Sequence, residues 1–108
     1  MSGITRLNTK QTVTVDDEIA NCEIIELTDW AGAGVIMPAS TNNSTYTLWV
    51  AEDRDGTFVA LTDTSGVAVE MTVAASKGVP FPDEVFPFGA VKLVSDTDGD
   101  TVIVSFKG

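Results

Sequence analysis

The stretch Thr45-Tyr46-Thr47-Leu48-Trp49-Val50-Ala51-Glu52-Asp53-Arg54-Asp55-Gly56-Thr57-Phe58-Val59-Ala60-Leu61 decides the fold class. In its first half the side chains alternate with a period of two. Tyr46, Leu48 and Val50 point one way; Thr45, Thr47 and Trp49 point the other. That period belongs to a β-strand. Asp55-Gly56 then supplies turn chemistry, with glycine able to take a positive φ, and Thr57–Leu61 returns as a second strand. The same grammar recurs at the end of the chain. Ala90–Ser95 and Thr101–Phe106 flank Asp98-Gly99, with Val102, Val104 and Phe106 inward and Thr101, Ile103 and Ser105 outward. Hairpins over Tyr46–Leu61 and Val91–Phe106 are therefore expected.

Working outward, the remaining runs are short and rich in Thr and Val, whose β-branching suits a pleated surface. They place strands at Gln11–Val15, Cys22–Thr28, Gly34–Met37 and Val69–Ala74, the last with Val69, Met71 and Val73 inward and Glu70 and Thr72 outward. Ser65-Gly66 marks a further turn, and Gly32-Ala33-Gly34 reads as a turn between strands rather than a phosphate cradle. No segment holds a 3.6-residue period for three turns. One dry face and one wet face per strand is the pattern of two antiparallel sheets packed together. The expectation is an all-β protein, a single antiparallel β-sandwich of about eight short strands, jelly-roll-like or immunoglobulin-like, over residues 1–108, with 1–9 as an extended N-terminal arm.

The segment Lys77–Gly89 departs from the pattern. Pro80, Pro82 and Pro87 each lack a ladder donor, so they do not all fit a central strand. One helical turn over Asp83-Glu84-Val85-Phe86 is expected there, with Phe81, Phe86 and Phe88 closing the open end of the sandwich. An aromatic-lined ligand pocket is the alternative.

Composition excludes more than it names. At 108 residues the chain has room for one domain. Hydrophobic residues make up 44% and the mean hydropathy is +0.17, which argues against disorder. Six Lys and Arg against sixteen Asp and Glu give a net charge of −10 and an isoelectric point near 4.1, which disfavours nucleic acid and anionic lipid as partners. There is no histidine, hence no imidazole base or ligand. The single cysteine, Cys22, forms no internal disulfide and no cysteine-based zinc site. The apolar runs fall far short of the ~20 residues that span a bilayer, and Met1–Asn8 lacks the apolar core of a secretory signal, so synthesis in a cytoplasm is expected.

Candidate chemistry is sparse. Asp53-Arg54-Asp55-Gly56 and Asp96-Thr97-Asp98-Gly99-Asp100 space carboxylates as calcium loops do, yet both sit where a turn is already required. Neither has the glutamate that completes an EF-hand. No serine or threonine has a base beside it in a recognisable motif, and neither a catalytic residue, a cofactor site nor a metal centre is expected. Trp30 ends a strand and is read as covering the edge of the core. Trp49 and Ile103 are different: both are large and apolar, and both fall on faces that alternation assigns to solvent. They are the candidate partner interface, one patch if their strands share a sheet.

Leu48–Leu61, the later Val79-Pro80-Phe81-Pro82-Asp83-Glu84-Val85-Phe86, and the closing runs Val91–Ser95 and Val102–Gly108 together resemble small β-sandwich virion proteins of tailed bacteriophages. The resemblance covers residues 45–108 and lies in the pattern. It implies a capsid decoration or cement protein on the outside of the shell, bound to the major capsid protein as a symmetric homo-oligomer, with a trimer favoured. Another head or tail component is compatible with the same features. The same order of elements is also similar to galactose-binding-like jelly rolls, which implies a carbohydrate-binding module. No binding residue carries over from either.

Overall fold

The computed structural model describes residues 8–28 and 30–107. Nine strands form two antiparallel sheets: β1 (Asn8–Val15), β2 (Ile25–Glu26), β3 (Gly32–Ile36), β4 (Thr45–Ala51), β5 (Val59–Ala60), β6 (Glu70–Thr72), β7 (Gly78–Pro80), β8 (Ala90–Ser95) and β9 (Asp100–Lys107). One sheet has the order β1-β9-β3-β7. The other runs β2-β8-β4-β5, with β6 sharing the free side of β4 beside β5. Two single 3-10 turns, Ile19–Asn21 and Asp83–Val85, complete the regular structure, and no α-helix occurs among the described residues. The protein is an all-β sandwich, as the alternation implied.

The core is built from the side chains that period two turns inward. Val13, Val15, Val35, Val102, Val104 and Phe106 come from the four-stranded sheet; Ile25, Tyr46, Leu48, Val50, Met71, Val91 and Leu93 come from the other. Leu48 and Leu93 are direct cross-strand partners with no exposed surface. Each such leucine contributes about 1.5–3 kcal/mol relative to an exposed one. Phe81, Phe86 and Phe88 pack on the core, and Trp30 lies against Phe106 with ring centroids 5.5 Å apart. The proline-rich segment and Trp30 thus close the sandwich.

Several local expectations are corrected. The run Val91–Phe106 is no hairpin: β8 pairs with β4 and β9 pairs with β1 and β3, so Asp96–Gly99 carries the chain from one sheet to the other. A turn between two good strands reads the same whether they pair or part. Among the described glycines only Gly66 has a positive φ, 82°, while the turn at Gly56 closes with its amide donating to the Asp53 carbonyl. Gly32-Ala33-Gly34 lies within β3, where Gly34 admits β7; a Cβ there would press on the Val79 carbonyl. Pro80 ends β7, an edge strand in which a missing amide is tolerated. Cys22–Thr28 shortens to β2, because Cys22–Ile24 follows the 3-10 turn instead. Of the expected arm, Asn8 and Thr9 pair in β1 with Lys107 and Phe106, and residues 1–7 lie outside the described residues.

Candidate interaction surfaces

At one end of the sandwich the β3–β4 and β8–β9 connections cross between the sheets side by side, and the two acidic or asparagine-rich motifs there lock to each other. Asn43, buried, accepts from the backbone amides of Thr97 (2.8 Å) and Asp98 (3.1 Å) through Oδ1. Its Nδ2 donates to the Asp98 carbonyl (2.9 Å) and to Asp100 Oδ2 (2.8 Å), so all its polar capacity is used. Asp100 Oδ2 also accepts from Thr41 Oγ1 and from the hydroxyl of fully buried Tyr46, both at 2.6 Å. Burial acts to raise the Asp100 carboxyl, but these donors outweigh it and hold the group below its usual range. Burial, and then the bond to Asp100, push the Tyr46 phenol well above its ordinary value. The Ser44 hydroxyl, at 2.9 Å, is the main cause that lowers Asp96. Both asparagines of Asn42-Asn43 and all three aspartates of the 96–100 turn are therefore engaged in fastening the corner. Among the described residues no group of three or more His, Cys, Asp or Glu is arranged to hold a metal ion.

A polar cleft of about 530 Å³ runs between the β1 and β2 edges, lined by Gln11, Cys22, Glu23, Glu26, Arg54 and Lys92 among others. Its charged groups answer each other. Arg54 meets Glu26 at 3.7 Å on the surface, and Lys92 donates to the Ile19 carbonyl. The Cys22 thiol points at the Asp16 carbonyl, with its pKa raised by burial. The cleft offers no nucleophile paired with a base.

The outer face of the β1-β9-β3-β7 sheet has an unusual composition for this chain. Register places Lys10, Thr12 and Thr14 of β1, Thr101, Ile103, Ser105 and Lys107 of β9, Gly32, Gly34 and Ile36 of β3, and Gly78 and Pro80 of β7 outward. None of the sixteen acidic residues is among them. Ile36 and Ile103 are direct cross-strand partners, 50% and 37% exposed, and form an apolar ridge at the centre of the face. Beside them Gly34, Ser105 and Gly32 leave a shallow hollow.

Trp49 faces outward from the other sheet, partly exposed, with Ala60 and Lys92 as its cross-strand partners. The Lys92 ammonium lies 5.0 Å from the centre of the Phe58 ring. Trp49 and Ile103 consequently sit on opposite faces of the sandwich and do not make one patch. The partner that completes the ridge with Ile103 is Ile36, which sequence reading had not singled out. The signal was present in Val35-Ile36-Met37, where two inward neighbours force the middle residue out.

No family model matches the chain, and no curated protein matches it by sequence. In fold it is similar to a prophage-derived protein, YomS of the SPBc2 prophage, with a TM-score of 0.63 at 15% identity over 100% of this chain and 99% of the other. The chain thus shares its fold, over nearly the full length of both, with a protein encoded by a prophage.

Proposed function

We propose that this chain is a structural, non-enzymatic component of a phage particle, of the capsid decoration or cement class, held on the outer surface of the shell by the major capsid protein. One observation carries the reading: unpartnered apolar side chains stand on both outer faces of a small sandwich, Trp49 on one and the Ile36–Ile103 pair on the other. A protein that cements a shell has to touch two neighbours at once, and opposite faces serve that need. The fold shared with a prophage-derived protein supports it, and the acidic exterior suits a protein that stays soluble at high copy number before assembly. The face with Trp49 is the one assigned to the shell, since a large aromatic anchor is the common make-up of an interface centre.

The test uses shells assembled without this protein. Adding the purified chain is expected to raise their temperature of disruption, and Trp49→Ala is expected to weaken that rescue at least tenfold in affinity while the isolated domain melts within a few degrees of the parent. A correctly folded chain that fails to bind the shells, or binds glycans instead, overturns the assignment.

A further inference from the structure

We infer that the outer face of the β1-β9-β3-β7 sheet is covered by a second copy of this chain, packed face to face about a two-fold axis near the Ile36–Ile103 ridge. The inference goes beyond the shell assignment and does not depend on it. Three observations converge on that occupant. Two molecules of charge −10 repel each other, and this is the surface through which they approach at least cost, because no carboxylate stands on it. A basic partner would instead be drawn to the acidic remainder of the molecule.

The face is also self-complementary. Lys10 and Lys107 lie toward one end of the sheet; at the other end, beyond the Val15–Asp100 pair, the chain leaves for the opposite sheet, where Asp16 bridges to Val94 and Asp98 is held by Asn42. A two-fold axis across the strands keeps the lysine ends of the two copies apart. A parallel arrangement would stack like on like. The relief fits as well, since the isoleucine ridge of one copy lies next to the Gly34–Ser105 hollow that receives the ridge of its partner.

The area suits a weak, concentration-dependent contact. Strands of 8, 8, 5 and 3 residues, about 4.8 Å apart with about 3.4 Å per residue, present on the order of 400 Å². Two such faces bury about 800 Å² together, in the range of weak, transient association.

Analytical ultracentrifugation of the full chain from about 1 to 200 μM tests this directly. A reversible monomer–dimer equilibrium is expected. Ile36→Glu and Ile103→Glu each put a carboxylate on the ridge and are expected to weaken the dimer at least tenfold, with melting of the monomer little changed. Thr47→Glu, on the opposite sheet, is expected to leave it intact. Should either glutamate variant lose its folded circular dichroism, Ile36→Thr keeps the β-branched side chain and decides the matter by the same shift in dissociation constant. A parent that stays monomeric at 200 μM, a trimer, or a dimer indifferent to the ridge variants overturns the inference. A dimer that forms normally but fails to bind shells overturns the shell assignment alone.

Discussion

Tyr46→Phe removes one oxygen from the corner between the sheets and tests what fastens it. The phenol is fully buried and donates to Asp100 Oδ2 at 2.6 Å, a short bond to an ionised acceptor. Such bonds contribute about 1.5–3 kcal/mol, and the ring itself is kept, so the expected loss is about 2 kcal/mol at pH 7. For a domain of this size that lowers the melting temperature by roughly 10 °C. The deficit depends on pH in a set direction. The Asp100 carboxyl titrates below its ordinary value in the folded protein, so its stabilisation is complete above the unfolded carboxylate pKa, ~3.9, and fades as pH falls through the lower folded value. Once the carboxyl is protonated, the Tyr46 bond is an ordinary neutral one worth about 1 kcal/mol. Urea denaturation followed by Trp30 and Trp49 fluorescence at pH 7 and at a series of falling pH values measures both quantities. A variant as stable as the parent at pH 7, or a deficit unchanged in acid, refutes the role given to Asp100.

Other perturbations follow from the same geometry. Asn43→Asp replaces a donor to Asp100 with a second carboxylate in a buried position, so a loss of about 3 kcal/mol or more is expected in denaturant midpoints. Gly89→Ala drives a methyl into the backbone carbonyl of Glu52 where β8 begins beside the end of β4, and at least about 2 kcal/mol should be lost, whereas Gly32→Ala meets nothing within 4 Å and should melt close to the parent. The Cys22 thiol, 5% exposed and raised in pKa by burial, is expected to react with an aromatic disulfide reagent only as fast as the domain unfolds; rapid modification of the native protein would contradict its placement.

What was legible in the sequence is what period two controls. The inward sets of β4, β6 and β9 follow from alternation, and the Tyr46–Leu61 pairing does too, because strands so close in sequence have little choice of partner. Partners distant in sequence were not legible. Nothing in Asp96–Asp100 distinguishes a hairpin from a crossing; the difference resides in Asn43, more than fifty residues away, which the turn needs as its fastener. β7 was hidden because its proline argues against a strand until the edge position is known. The interface candidates divide in the same way. Alternation put Trp49 and Ile103 outward correctly, while which sheet each belongs to, and that Ile36 stands beside Ile103, are matters of long-range pairing.

The position of β9 between β1 and β3 has a kinetic consequence. One of the two central strands of the four-stranded sheet is the last of the described strands, and its register partner β1 begins more than ninety residues earlier. β1 and β3 are therefore made before the strand that joins them, and although β3 can pair with β7, β1 gains nothing from that sheet until a loop of more than eighty residues has closed. The other sheet, whose β4, β5 and β6 are close in sequence, has local contacts from which to start. Folding in milliseconds to seconds is expected, with β1 and β3 offering unpaired edges until residue 107 is free of the exit tunnel. A chain stalled before β9 would present those edges to its neighbours and aggregate, so the emergence of β9 is the step on which the yield of folded domain depends.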